Sequence, residues 1–127
     1  MTDPKCKHFG KCGGCTSQHI DYQVQLENKK NMLSYAINYQ DIKVFSDEPY
    51  GYRNRMDFLF FQDGIGFRKK GKWNQGVTID SCDISNKKLN ELYEEVKEFS
   101  KDVDAFHISQ HTGTFRYAVI RTPSLTS

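Results

Sequence analysis

Hydrophobic residues alternate with polar ones in some stretches of this chain and recur at helical spacing in others. Between residues 53 and 61, Met56, Phe58 and Phe60 fall on one face of an extended segment. The opposite face is also partly apolar, with Leu59 among its residues. A strand that is apolar on both faces is typical of the interior of a sheet. The pattern therefore predicts a central strand over residues 53–61.

Turn-forming residues divide the chain after this strand. The Asp-Gly pair at residues 63 and 64 predicts a type I′ hairpin turn, because such a turn needs positive φ at its central residues. We expect the returning strand over residues 65–68. A second turn at residues 70–72 then leads into a third strand over residues 73–79.

Two stretches carry apolar residues at helical spacing. The first begins after Asp21, a residue type that caps helices, and is expected to end between residues 38 and 41. The second runs over residues 86–100, with Ser85 as the expected cap. Its acidic and basic side chains are expected to face solvent. Its predicted buried stripe consists of Leu89, Leu92, Val96 and Phe99.

Two further strands are predicted over residues 105–109 and 115–121, with a Thr-Gly turn at residues 112 and 113 between them. The elements lack the regular strand–helix alternation of a nucleotide-binding fold, and no glycine-rich phosphate loop precedes a helix. The expected fold class is α+β. It consists of a mainly antiparallel sheet with two principal helices and an N-terminal loop that forms part of a four-cysteine cluster site.

Composition limits the broad class of protein. The chain has 127 residues, which is typical of one domain, and 37% of them are hydrophobic, including nine Phe and seven Tyr. Charged residues make up 27%, and no stretch approaches the roughly 18 apolar residues of a membrane helix. We therefore expect a soluble domain with a modest core and no membrane partner.

Four cysteines carry the strongest chemical signal. Cys6, Cys12 and Cys15 lie in one ten-residue segment, and Cys82 follows the predicted third strand. Four thiols suit zinc or an iron–sulfur cluster, and the spacing alone leaves both open. Two disulfides are the alternative, but the N-terminus has no apolar run resembling a signal peptide. We therefore predict a metal site in a reducing, intracellular compartment.

A basic and aromatic segment follows the first helix. Residues 49–76 carry six cationic side chains and seven aromatic rings against two carboxylates. Cations neutralise phosphates and rings stack on bases, so this mixture is typical of a surface for single-stranded RNA. A strand-rich core with solvated turns is the alternative, in which the two arginines before the central strand pair with Asp57, Asp80 or Asp83. The candidate RNA contacts are Arg53, Arg55, Arg68, Lys69, Lys70 and Lys72.

Several ordered motifs together resemble one family. Over essentially its whole length the chain is similar to the RNA uracil-C5 methyltransferases, which make 5-methyluridine in 23S ribosomal RNA or transfer RNA from S-adenosylmethionine. The motifs are Cys-Lys-His-Phe-Gly-Lys-Cys-Gly-Gly-Cys at residues 6–15, Tyr-Arg-Asn-Arg at 52–55, Ile-Gly-Phe-Arg at 65–68, Cys82 and the segment from Thr114 to Arg121.

The resemblance implies a cofactor, a partner and a division of the chain. Residues 1–20 are expected to form a cluster-binding loop, and residues 21–127 a central RNA-recognition domain that closes the cluster. The partner is 23S ribosomal RNA or tRNA. S-adenosylmethionine is expected to bind a later methyltransferase domain that this chain does not include. The implied ligands of a [4Fe-4S] cluster are Cys6, Cys12, Cys15 and Cys82.

The resemblance further implies a fragment that is inactive alone, monomeric and cytoplasmic. Activation of uracil requires an uncommitted thiolate, whereas all four thiols are expected to be ligands. Two alternatives stay open: a stand-alone zinc-binding RNA-recognition module, and a small ferredoxin-like electron carrier. The lysines around the early cysteines, Lys5, Lys7 and Lys11, disfavour the carrier.

Overall fold

The computed structural model of the chain describes residues 1–123. Its four strands form one antiparallel sheet in the order β3-β2-β1-β4. The predicted α+β fold with two principal helices is confirmed. No helix within residues 1–123 is long and apolar enough to cross a membrane. The elements are α1 (Tyr22–Ile37), β1 (Arg55–Phe61), β2 (Gly64–Lys69), β3 (Lys72–Thr78), α2 (Lys87–Phe99) and β4 (Tyr117–Arg121).

The core lies between the sheet and α2. β1 occupies the interior of the sheet, as predicted, and Phe58 is fully buried against α2. Leu59 and Phe61 are buried on the opposite face of the sheet. A Cβ at Gly76 would overlap the Phe61 ring, so glycine at this position lets the ring pack on the backbone of β3.

The α2 helix begins one residue later than the sequence suggests. The side chain of Asn86 accepts a hydrogen bond from the Leu89 N–H over 2.8 Å, so Asn86 is the cap and the assignment of Ser85 was wrong. The predicted buried stripe is correct for Leu89 but wrong for Phe99, which is 86% exposed. Phe99 lies on the last turn, about 80° around the axis from Leu89, where the sheet no longer covers it.

Tyr93 joins α2 to the sheet. Its ring stacks on Phe58 with the centroids 4.4 Å apart. Its hydroxyl donates to the carbonyls of Ile65 and Ile79, at 2.9 and 2.8 Å. Burial raises the pKa of Tyr93 well above its usual range, so the hydroxyl stays protonated and remains a donor.

We expect Tyr93→Phe to lower the free energy of unfolding by about 1–3 kcal/mol, because buried carbonyl oxygens lose their donor. Urea unfolding followed by circular dichroism measures the change. Tyr35→Phe is the matched control, since Tyr35 is 92% exposed on α1. Equal unfolding midpoints for the two variants would contradict this role.

Both predicted hairpins are present, but the first turn has a different conformation. Phe61 pairs with Gly64, so the turn residues are 62 and 63, and positive φ occurs at Gly64 (143°) rather than at both central residues. The predicted type I′ turn was therefore wrong. The second turn, at residues 70 and 71, is as expected, and Gly71 has φ 75°.

The predicted strand at residues 105–109 is wrong. This segment makes isolated bridges, in which Ala105 meets Phe115 in parallel orientation. Its amides bond within the loop: the His107 N–H donates to the Thr112 carbonyl over 2.6 Å, for example. Because these groups are satisfied locally, they do not extend the sheet, and β4 begins at Tyr117.

The α1 helix has the predicted bounds but little contact with the core. None of its residues is buried. Asp21 precedes it as the N-cap residue but makes no side-chain cap hydrogen bond. The helix ends at Ile37, and the C-cap residue Asn38 adopts the left-handed conformation with φ 51°.

Candidate metal centre and nucleic-acid interface

The N-terminal segment that carries three cysteines, the cysteine loop (residues 1–20), folds back onto the β2–β3 hairpin. The Gly13 N–H donates to the Arg68 carbonyl over 2.8 Å, and the Lys70 N–H donates to the Lys11 carbonyl over 2.7 Å. These two bonds run in opposite directions between loop and hairpin. The loop therefore continues the hydrogen bonding of the sheet at the hairpin tip.

A second attachment ties the cysteine loop to the chain just after β3. The Asp80 N–H donates to Nε2 of His8 over 3.1 Å. The Asp80 carboxylate also forms an exposed ion pair with Lys7, which raises the pKa of Lys7 and lowers that of Asp80. Two neighbouring loop residues thus contact one residue of the segment that carries Cys82.

Cys82 is held rigidly at the edge of the core. It is 9% exposed and belongs to the buried cluster that includes Ile79 and Ile84. Its N–H donates to Oδ1 of Asn90 over 2.8 Å, and Nδ2 of Asn90 donates to its carbonyl over 2.9 Å. The first two turns of α2 therefore position the backbone of this cysteine.

The fold brings Cys82 next to the cysteine loop, and none of the four cysteines is in a disulfide. Burial raises the pKa of Cys12, and the nearby thiols of Cys15, Cys82 and Cys6 raise it further. Burial likewise raises the pKa of Cys6, with a smaller contribution from Cys82. Among the loop cysteines, Cys15 packs against the buried cluster that contains Cys82, so the fold places this distant cysteine against the cysteine loop.

Backbone amides lie near two of these sulfur atoms, those of Cys12 and Cys6. The Gly14 N–H lies 3.4 Å from Sγ of Cys12 and donates to it. The nearby backbone amides of His8 and Asp83 oppose the rise in the pKa of Cys6 that burial causes. Hydrogen bonds of this kind stabilise the thiolate, which is the form in which cysteine binds metals.

The four thiols form an all-sulfur donor set. No group of three or more His, Cys, Asp or Glu side chains within residues 1–123 meets the distances for holding a metal ion. Four thiols suit zinc as well as an iron–sulfur cluster. An all-sulfur donor set of this kind fits an iron–sulfur cluster, in which iron and inorganic sulfide lie between the thiolates.

Cationic side chains from all four strands lie at one end of the sheet. We call this end the basic edge, and its residues are Arg55, Lys69, Lys72 and Arg121. Arg55 pairs with Arg121 across β1 and β4, and Lys69 pairs with Lys72 across β2 and β3. All four are exposed and lie at the end of the sheet away from the β1–β2 turn. The cysteine loop reaches the same end through a bridge between Cys12 and Lys69.

The other candidates on the hairpin lie beside this edge. Lys70 is at the tip, with Nζ 5.8 Å from the centroid of the Phe9 ring in the cysteine loop. Arg68 donates from Nε to the Trp73 carbonyl over 3.1 Å and from Nη2 to Oη of Tyr117 over 3.2 Å. The second bond lowers the pKa of Tyr117.

Arg53 and Arg55 differ in their surroundings. Arg55 contacts both carboxylate oxygens of Asp57, at 3.1 and 3.4 Å, so the ion pair expected as its alternative role is present. Arg53 precedes β1, and its backbone bonds to Ile84 and Asn86. Its guanidinium lies 3.5 Å from the Arg55 carbonyl. Both arginines are exposed.

Three residues of the C-terminal segment were not among the predicted RNA contacts: Arg116, Tyr117 and Arg121. Their signal in the sequence is the mixture of cations and aromatic residues over 115–121, a segment predicted as a strand and counted among the family motifs. Their relation to Arg55 and Arg68 depends on strand register, which the sequence does not display.

No family model matches the chain, but individual proteins do. It is 42% identical over 125 residues to the tRNA (uracil(54)-C(5))-methyltransferase of Pyrococcus abyssi, covering 97% of this chain and 31% of the relative. It is 37% identical over 124 residues to the protein of the same name from Pyrococcus furiosus, covering 96% of this chain and 30% of the relative. The chain thus spans about 30% of the length of these relatives.

A solved structure shares the fold. The crystal structure of the Pyrococcus abyssi tRNA (uracil-54, C5)-methyltransferase in complex with S-adenosyl-L-homocysteine superposes with a TM-score of 0.80 and 39% identity. The match covers 91% of this chain and 29% of that one. With this identity and this shared fold over nearly all of its residues, the chain belongs to the RNA uracil-C5 methyltransferase family, as the partial counterpart of longer members.

Proposed function

We propose that this chain is the iron–sulfur-bearing, RNA-recognising portion of an S-adenosylmethionine-dependent RNA uracil-C5 methyltransferase. The observation that carries the proposal is the placement of Cys82 against the cysteine loop, beside the basic edge of the sheet. In this division, residues 1–20 bind the cluster, and residues 21–127 form the RNA-recognition domain that closes it.

The proposed ligands of a [4Fe-4S] cluster are Cys6, Cys12, Cys15 and Cys82. When bound, a cluster with four protein ligands supplies a covalent link between loop and core rather than an open iron for substrate. The chain's own part is to present the sulfurs: Asn90 fixes the backbone of Cys82, and amide N–H groups stabilise thiolates. Ligation then stabilises the contact between the cysteine loop and the β2–β3 hairpin.

RNA recognition is assigned to Arg53, Arg55 and Arg68 and, beside them, to the hairpin lysines (Lys69, Lys70 and Lys72). The lysines are exposed, and two of them flank the backbone contacts of the cysteine loop. Several exposed cations close together are suited to binding the phosphate groups of RNA. Because two relatives are named tRNA methyltransferases, we propose tRNA rather than 23S ribosomal RNA as the substrate. A cytoplasmic location and a monomeric chain remain part of the proposal.

Methyl transfer itself is proposed to lie outside these residues. Uracil C5 becomes nucleophilic after a thiolate adds at C6, and a base then removes the C5 proton. All four cysteines of this chain are engaged as proposed ligands. The solved relative holds S-adenosyl-L-homocysteine, and we infer that S-adenosylmethionine is bound by parts of the longer protein to which these residues do not correspond.

Anaerobic reconstitution with iron and sulfide tests the proposal. We expect iron and acid-labile sulfide in equal amounts, and binding of a single-stranded RNA by the loaded chain. Fluorescence anisotropy with a labelled oligonucleotide measures the binding. Zinc uptake without sulfide would favour the stand-alone zinc module, and reversible reduction without RNA affinity would favour the electron carrier.

A further inference from the structure

One face of the sheet lies opposite α2 and is not covered along part of its length. This open face carries side chains from three strands, with Tyr117 44% exposed and Val119 51% exposed on β4. The alternation of β1 places Arg55 and Asp57 on the same face. The open face consists of Arg55, Asp57, Arg68, Tyr117, Val119 and Arg121.

A side-chain bridge spans the middle of the open face. Nη2 of Arg68 on β2 donates to Oη of Tyr117 on β4 over 3.2 Å, so the bridge crosses the intervening β1. Nε of Arg68 is fixed by the Trp73 carbonyl. The guanidinium of Arg116 lies 5.4 Å from the centroid of the Tyr117 ring. The exposed ring is therefore held in place by two arginines.

The charge on this face is unbalanced. Arg55 and Arg121 stand directly opposite each other across β1 and β4, an arrangement of like charges that destabilises a sheet. Asp57 neutralises Arg55 through its two carboxylate oxygens. Within residues 1–123 no carboxylate forms an ion pair with Arg121. With Arg55 neutralised by Asp57, the charge of Arg121 is left over at this pair, and an anion bound beside it would balance that charge.

The distance between the Tyr117 ring and the arginine pair suits neighbouring nucleotides of one RNA strand. Tyr117 and Arg121 are four residues apart on β4, or about 13 Å along the strand. Flat, exposed aromatic rings beside arginines bind unpaired bases by stacking, and guanidinium groups bind phosphates through paired N–H donors. An acidic peptide would supply anions but no aromatic surface for Tyr117.

We propose that the open face binds an unpaired segment of the RNA, with a base stacked on Tyr117 and a phosphate between Arg55 and Arg121. The proposal rests on the proposed function and adds a second contact surface to the hairpin lysines. The two surfaces meet at the basic edge, so one strand of RNA can follow both. Tyr117 here supplies contact area, and Arg68 and Arg116 orient its ring.

The test compares Tyr117→Val with wild type in the cluster-loaded chain. Valine keeps the preference for a strand and removes the ring. We expect affinity for a single-stranded oligouridine to fall about tenfold, and affinity for an abasic oligomer of the same length to change little.

The variant Arg121→Gln should weaken the binding of both oligomers and lower the slope of log affinity against log salt concentration by about 0.7. Lys88→Gln, on the solvated side of α2, is the control.

A fluorescence measurement reports base stacking directly, in addition to the affinity. An oligonucleotide with one 2-aminopurine should lose fluorescence on binding to wild type and regain it with Tyr117→Val. Equal losses of affinity for both oligomers, unaltered fluorescence, or competition by polyglutamate as strong as by RNA would overturn the stacking site. Failure of wild type to bind any RNA would overturn the proposed function as well.

Discussion

The variant Cys82→Ala is expected to lose the proposed cluster and, relative to loaded wild type, to melt about 10 °C lower or more. The physical reason is that Cys82 is the one proposed ligand outside the cysteine loop, so its loss frees the loop from the core. Iron and sulfide analysis together with thermal unfolding under anaerobic conditions measures both effects. Iron content should fall to background, whereas the sheet should remain folded.

Two comparisons separate ligation from packing, since Cys82 is also part of the buried core. The first is Cys82→Ala against wild type without metal, where only the loss of the sulfur from the core remains. The second is Cys12→Ser, which changes a half-buried loop residue outside the core cluster. We expect Cys12→Ser to lower the melting temperature only in the loaded state. Full iron content in either variant, with an unchanged melting temperature, would refute the role of the cluster as a link.

Replacement of the hairpin lysines by glutamine is expected to weaken binding of single-stranded RNA on the order of tenfold at low salt. Each lysine that contacts a phosphate releases counterions on binding. Loss of three contacts should therefore reduce the slope of log affinity against log salt concentration by about 2. The three residues are exposed, so the change should leave the folded structure intact. Anisotropy titrations at several salt concentrations give the slope.

A matched triple variant removes the same charge elsewhere. Lys87, Lys88 and Lys101 lie on or just after α2, away from the hairpin, and two of them pair with glutamates. Their replacement by glutamine should leave the slope within experimental error of wild type. If the two triple variants lose affinity equally, the hairpin lysines contribute only net charge, and the assigned RNA contact is wrong.

The largest features of the fold were predictable because they depend on local patterns. Apolar residues on both faces of residues 55–61 correctly indicated the central strand. Glycines at 64 and 71 correctly indicated two hairpins, although not the conformation of the first turn. The bounds of α1 were predicted closely, but periodicity could not reveal that none of its residues is buried.

Three errors have two causes: competition between partners that sequence patterns do not rank, and the limited area that the sheet covers. Ser85 and Asn86 are both capping types, and the helix uses Asn86 because its side chain reaches the Leu89 N–H. Residues 105–109 have strand-like composition, yet their backbone groups bond within a loop. Phe99 fits the helical stripe, yet the helix ends where the sheet no longer covers it.

The sequence by itself determined which chemical groups this protein has and roughly where the backbone turns: four thiols, a basic segment with two hairpins, and two helices. Tertiary structure alone decided which groups meet. Cys82 lies against the cysteine loop because β3 and α2 carry it there, and Arg121 faces Arg55 because of strand register. The physical reason is that packing and register arise from contacts between residues far apart in the chain, whereas sequence patterns report only preferences of near neighbours.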